Sequence, residues 1–293
     1  MDRLLKVFIT VVEQKNLTRA AEILYITQSA VSQNIKLLEE QYNTTLINRK
    51  NKNMTLTKAG EILYNQGKII TDQYSLTERM IEDLQEGVSG PLNIGSGFTY
   101  GEYLLPKIMS TFIKSYPDII PKITIKNSAR IAKQVKQRDL DIGIIEKEIY
   151  DSQLITIPFA KDNMVVIVPA DFPKKNGEQI SLDELEDKTW IIRERGSGTR
   201  VVGDNMFIRT KLSPTKVLEF GSTQLIKEIV KNGIGISYIS EVSVKEEIKH
   251  GTIKALTIKE YKDSRTFYYV TNRSQTSTKA LRTLINTIEI MNK

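Results

Sequence analysis

Ser29, Ser32, Gln33 and Lys36 fall at i, i+3, i+4 and i+7, the spacing that lines one side of a helix. Together they offer two hydroxyls, an amide and a cation, and no carboxylate interrupts them before Glu39. Such a face can exchange hydrogen bonds with base edges while its cation rests on phosphate. A different chemistry repeats farther along the chain. Gly95-Ser-Gly-Phe-Thr99 and Gly196-Ser-Gly-Thr-Arg200 each follow a strand-like run. Each puts small residues, hydroxyls and free backbone N–H groups at a helix start, where the helix dipole also favours an anion. Ser96, Gly97, Phe98, Thr99, Ser197, Gly198 and Thr199 are therefore candidate anion ligands, with Arg200 able to grip a carboxylate, sulfate or phosphate in two-pronged fashion. Asn127, Ser128 and Thr223 stand at lesser starts of the same kind. Glu146, after a strand end, either meets a ligand or faces water.

The first set needs a helix pair to present it. Leu17 and Thr18 supply a hydrophobic residue and an N-cap oxygen ahead of an alanine-rich turn. Ala20, Ala21 and Leu24 leave room for close approach of a second helix, for which Thr27 is the candidate N-cap. Val31, Ile35, Leu38 and Tyr42 form the inward face of that second helix. A single amphipathic helix is by default a solvated one. Two of them, a tight turn and an acid-free outer face point to a DNA-reading helix-turn-helix. Thr18, Arg19, Thr27 and Gln28, at the helix starts, complete its candidate contacts. Residues 2–13 read as a supporting helix that faces inward through Leu4, Leu5, Phe8, Ile9 and Val12. Within 45–57, two β-prone pieces flank a basic, asparagine-rich tip, which suggests a hairpin wing. Arg49, Lys50 and Lys52 on that tip suit phosphates or a minor groove better than an ordinary solvated turn.

The run TRAAEILYITQSAVSQNIKLLEEQ, followed by LINR and LTKAG, resembles the N-terminal domain of LysR-type transcriptional regulators over residues 1–60. Ser29 stands where that family often has proline, and Thr44, Thr45 and Asn48 occupy a wing often richer in glycine and phenylalanine. The resemblance implies a linker helix that pairs two subunits, with a tetramer as the fuller assembly. It also implies a C-terminal fold like periplasmic binding proteins, crossed near 161–162 and again near 267–268. The stretch RERGSGTR resembles a segment in a branch of the family that responds to small anionic metabolites.

The remaining pattern fits those parts. A long helix is expected from Thr57 to about Gly87. Ile62, Ile69 and Leu76, and Leu63, Ile70 and Leu84 with Met80 between them, give it a dimerisation seam that Gln66 and Gln73 interrupt. Gly87-Val-Ser-Gly-Pro91 closes it. Candidate strands then fall at 92–95, 122–126, 141–145, 164–169, 189–193, 235–239 and 265–271. Helices are expected near 103–115, 129–138, 199–210 and 223–232. This alternation argues for parallel α/β sheets in two lobes. The expected organisation is an α/β chain with a winged helix-turn-helix at 1–58, a linker and dimerisation helix at 59–89 and an effector-binding domain at 90–293. Lobe I would take about 90–161 and 268–293, and lobe II about 162–267.

Composition narrows the function. The 293 residues carry a net charge of +7, and residues 1–60 hold nine Lys or Arg against five acids. The basic excess is thus densest where the helix-turn-helix lies, as a polyanion-binding module needs. Zero cysteines and one histidine, His250 in Lys-His-Gly251, exclude thiolate chemistry, Ser-His-Asp triads and the usual zinc sites. Gly95, Gly97 and Gly101 miss the dinucleotide spacing. Residues 4–12 are apolar but broken by Lys6 and preceded by Asp2, unlike a signal peptide. No apolar run spans a bilayer. The expectation is a cytoplasmic, non-enzymatic transcription regulator without a cofactor. It would bind double-stranded DNA and a small anionic effector, act as a dimer or tetramer, and have RNA polymerase as a further partner. The alternatives are a solute-binding protein and an α/β enzyme without a DNA role.

Overall fold

The computed structural model describes residues 3–48, 54–82, 84, 87–262, 264–274 and 277–292. Two compact units divide the chain, Met1–Gln85 and Glu86–Lys293.

In the first unit, α1 (Arg3–Gln14), α2 (Leu17–Leu24) and α3 (Gln28–Gln41) precede β1 (Ile47–Asn48), β2 (Thr55–Leu56) and α4 (Lys58–Glu82). The helix–turn–helix forms as its spacing predicts. Ala20 and Ala21 are buried, and Val31, Ile35 and Leu38 close the core over Phe8 and Val11. Thr27 caps α3 by accepting the Ala30 N–H. The cap of α2 is Asn16, whose Oδ1 accepts the Arg19 N–H, so Thr18 lies one turn position inside the helix instead. Tyr42 is exposed rather than inward, because α3 ends at Gln41 and Tyr42 leaves helical geometry at φ −91°, ψ 0°. β1 and β2 pair antiparallel as a wing. The wing is fastened to α3 by Glu39, whose Oε1 accepts the N–H groups of Leu46 and Ile47 at 2.8 and 3.2 Å. Thr57 caps α4 through the Gly60 N–H. A side chain at Gly60 would collide with the Leu46 carbonyl, which explains glycine in the LTKAG run. The expected seam on α4 divides: Ile62, Ile69, Ile70 and Met80 are exposed, whereas Leu76 is buried within the single chain and Leu63 packs on the helix-turn-helix core.

The second unit contains β3 (Gly90–Ser96), α5 (Phe98–Tyr103), α6 (Leu105–Ser115), β4 (Ile119–Ile125), α7 (Ser128–Lys136), β5 (Ile142–Ile145) and β6 (Leu154–Pro169). It continues with β7 (Gln179–Ile180), α8 (Asp183–Glu186), β8 (Thr189–Arg193), α9 (Gly198–Thr210), β9 (Lys216–Phe220) and α10 (Thr223–Lys231). The last elements are β10 (Ser237–Ser240), α11 (Lys245–Lys249), β11 (Ile253–Ile258), β12 (Ser264–Asn272) and α12 (Lys279–Met291).

The expected parallel sheets are only part of what forms. β3 pairs parallel with β4 and β5, and β8 with β9. β12 runs antiparallel to both β5 and β6, and β10 and β11 run antiparallel to β6. β5 and β6 therefore run in the same direction on either side of β12, and no helix lies between them in the chain. β6 is a single 16-residue strand. It pairs with β12 through Asn163 and with β10 from Met164 onward, and the β12 register slips between Phe267 and Tyr268. Leu92, Ile94, Phe112, Phe267 and Leu284 centre one core, and Val166, Trp190, Met206 and Leu256 another. Strands β3, β5 and β8 end where helices α5 and α9 begin and where Glu146 follows. Those strand ends position the site.

Candidate functional site

On α3 the exposed face carries Gln28, Ser29, Gln33 and Lys36, with Ser32 half-buried between them. Gln28 Nε2 donates to Ser32 Oγ, Thr27 and Ser29 share a hydroxyl hydrogen bond, and Lys36 pairs loosely with Glu40 at 3.6 Å. Thr18 and Arg19 are exposed at the start of α2, where Arg19 pairs with Glu22. These groups engage only local, solvated partners that DNA could replace at little cost. Arg49, Lys50 and Lys52, the expected wing contacts, lie outside the described residues. Glu39, the acid that ends the carboxylate-free face, has a role that spacing alone does not show. It is spent on the wing and not on the reading face.

In the second unit the glycine–hydroxyl turns converge. Ser96, Thr99, Ser128, Ser197, Thr199 and Thr223 are all buried. Two of them, Thr99 and Ser128, meet Glu146, itself 4 % exposed. Thr99 N–H donates to its Oε1 at 3.1 Å and Ser128 Oγ to its Oε2 at 2.9 Å. A side chain at Gly198 would run into the Cβ and backbone carbonyl of Glu146, which calls for glycine there, and one at Gly97 would displace the Glu146 carboxylate. Across the same seam the Ala129 N–H donates to the Gly196 carbonyl and Asn127 Nδ2 to Glu194 Oε1, while Asn127 Oδ1 caps α7. Ser96 Oγ has no hydrogen-bond partner and lies under Gly101.

The arginine chemistry differs from expectation. Arg200 Nε is held by Asp204, and its Nη1 by Glu219 and the Arg193 carbonyl. Burial alone would lower the pKa of Arg200, but the hydrogen bonds it donates to Glu219 and Asp204 outweigh it and raise it. Its guanidinium serves to brace α9 against β9, a local role that the i, i+4 spacing to Asp204 could have signalled. Two other arginines reach the predicted hydroxyls. Arg193 Nη1 donates to Thr223 Oγ1 at 2.8 Å, its other nitrogens hold Glu194, and its guanidinium lies 4.6 Å from the centre of the Phe98 ring. Arg265 Nη1 donates to Thr199 Oγ1 at 2.9 Å and its Nε to Asp162 Oδ2 at 2.7 Å, while Nη2 is buried without a partner. Arg193 was within reach of sequence reasoning, since it ends a strand just before the second glycine turn. Arg265 was not: only the β6–β12 register brings it opposite Asp162.

Among the described residues no group of three or more His, Cys, Asp or Glu could hold a metal ion. No described helix is long and apolar enough to cross a membrane.

Family models match both units of the chain. Residues 3–61 match a family model described as bacterial regulatory helix-turn-helix protein, lysR family, and residues 85–291 match the LysR substrate binding domain. The chain belongs to the LysR family. This LysR-family chain is 35% identical over 275 residues to the HTH-type transcriptional regulator CysL of Bacillus subtilis, covering 94% of this chain and 92% of the relative. The regulatory domain of CcmR from Synechocystis, solved in complex with 2-PG, superposes with a TM-score of 0.65 at 27% identity, over 70% of this chain and 98% of that one. A full-length OxyR variant from Pseudomonas aeruginosa shares the fold, with a TM-score of 0.76 at 22% identity, over 98% of this chain and 94% of that one. The LysR-family chain is thus a transcriptional regulator with a helix-turn-helix and an effector-binding domain. The family's α/β fold agrees with that expected from the sequence.

Proposed function

We propose that this regulator reads double-stranded DNA through the exposed face of α3 and changes its promoter activity when a small anion binds among the glycine–hydroxyl turns. The observation that carries the anion reading is the buried set of Thr99, Ser128, Ser197, Thr199 and Thr223 with two arginines, Arg193 and Arg265, each bonded to one of its threonines. Buried donors in such number are costly unless they meet acceptors, and an anion supplies several at once. The site residues are then Ser96, Gly97, Phe98, Thr99, Asn127, Ser128, Glu146, Ser197, Gly198, Thr199 and Thr223, with Arg265 in the place first expected of Arg200. The binding of 2-PG by the CcmR domain supports a small-molecule effector at this kind of domain.

The lobes in this reading are about 90–161 with 268–293, and 162–267. The change of partners along β6 and the register slip in β12 support a hinge there. The protein acts as a homo-oligomer, a dimer or tetramer, through the exposed apolar residues of α4. It works in the cytoplasm, carries out no catalysis and needs no cofactor. A panel of carboxylates, sulfate, phosphate and phosphorylated metabolites tests the effector part. An effector will raise the melting temperature of the full chain and change its affinity for DNA upstream of its own gene. Thr199→Ala will lower effector affinity by about 1 kcal/mol, roughly five-fold. If no anion on the panel alters either quantity, the anion reading is wrong.

A further inference from the structure

The effector cradle is not empty of negative charge. Glu146 sits in it, and among the described residues its carboxylate has no ion-pair partner. Its two oxygens take the Thr99 N–H and the Ser128 hydroxyl. The alpha carbons of Gly97 and Gly198, one from each glycine turn, close upon it. A carboxylate withdrawn from water needs about as many donors as it can find. This one has gathered donors that the anion reading assigns to the effector. Next to Gly198 in the chain is Thr199, to which Arg265 donates, and Arg265 Nη2 is buried without a hydrogen-bond partner, with the guanidinium 5.2 Å from the centre of the Phe267 ring. The site therefore holds one acceptor seated in the cradle and one strong donor still unsatisfied.

We infer that Glu146 is a tethered stand-in for the effector: in the effector-free regulator its carboxylate occupies the cradle, and a small oxyanion or carboxylate acts by taking its place. This rests on the proposed anion site and adds its regulation. Two like charges cannot share the Thr99 and Ser128 donors, because each donor hydrogen serves one acceptor well and the carboxylates repel. Entry of the effector thus requires Glu146 to leave. The contacts that its departure breaks are those at Gly97 and Gly198, which hold the two turns together. The effector meets Arg265 Nη2, a donor the tethered carboxylate leaves unused. The exchange thereby converts occupancy of the cradle into a change at the seam between the turns.

The chain-borne carboxylate can be swapped for a free one. Glu146→Ala removes it and leaves space for acetate, whereas Glu146→Gln removes the charge but fills the space. Melting temperatures of the full-length wild type and both variants are measured with sodium acetate, against sodium chloride at matched ionic strength. Glu146→Ala will melt lower than wild type and recover saturably with acetate, while wild type and Glu146→Gln will not respond. Calorimetry with inorganic sulfate and phosphate will show binding to Glu146→Ala roughly ten-fold or more tighter than to wild type. Adding Ser128→Ala to Glu146→Ala will abolish both gains. If folded Glu146→Ala neither recovers with acetate nor gains affinity while sulfate or phosphate still binds wild type, the stand-in is refuted and the anion site stands. If neither protein binds any of the three anions, both the stand-in and the anion site fall.

Discussion

Arg265 donates from one nitrogen to Asp162 and from another to Thr199, at 2.7 and 2.9 Å. It thereby ties the point where β6 changes partners to the start of α9. Ser240 Oγ donates to the other carboxylate oxygen of Asp162 at 2.8 Å. Both charged side chains are almost wholly buried.

Breaking this pair from one side leaves a buried charge uncompensated. Asp162→Leu or Arg265→Met alone will lower the stability of the second unit by about 3–5 kcal/mol, and the double replacement will recover much of the loss. Denaturant unfolding followed at Trp190, the chain's one tryptophan, reports it. Single variants as stable as wild type would show the pair to be dispensable.

Gln33→Ala will weaken specific DNA binding by about 1–3 kcal/mol, the loss of one base-reading contact, and leave salt-sensitive non-specific binding nearly intact. Lys36→Ala will weaken both, since a phosphate contact carries no sequence information. Anisotropy titrations on specific and random duplexes separate the two. Equal losses for Gln33→Ala on both duplexes would remove that side chain from the reading face.

Ile62→Asp with Ile69→Asp will dissociate the oligomer while the helix-turn-helix stays folded, because both side chains are exposed in the single chain and charge buried in a seam is costly. Leu76 is a poorer probe, being buried already. Sedimentation of the double variant as wild type would place the seam elsewhere.

Burial pushes the Tyr100 hydroxyl up to about 12, against a smaller downward pull from the Asn292 amide. A raised folded pKa means that Tyr100 stabilises the fold fully below about pH 10, the unfolded value, and loses that contribution as pH climbs through about 12. Tyr100→Phe will cost about 1 kcal/mol at neutral pH through its lost hydrogen bond. It will then narrow the gap to wild type in alkali. Melting temperatures between pH 7 and 11 test this, and a gap that widens with pH would contradict it.

The legible parts of the chain were those set by local pattern. Apolar spacing marked Val31, Ile35 and Leu38, the Thr27 cap was adjacent to its helix, and the glycine turns announced buried hydroxyls at Thr99 and Thr199. Strand 189–193 was located to the residue. What stayed hidden depends on register. Arg265 meets Asp162 only because β12 lies antiparallel on β6. Glu146 reads as a strand-end acid until three separated segments close upon it. Strands 216–220 and 253–258 were not anticipated. The first, Lys-Val-Leu-Glu-Phe, has no polar–apolar alternation and is largely exposed, and the second gets its place from β6 rather than from a helix crossover.

The central claim is that the α3 face reads sequence. Its most direct test compares the affinity of the full-length chain for the duplex upstream of its own gene with that for a scrambled duplex of equal length and composition, at physiological salt. The account predicts that the native duplex binds tighter by about three orders of magnitude or more. Equal affinity for both duplexes, with the same steep salt dependence, would contradict it and reduce this module to a general polyanion binder.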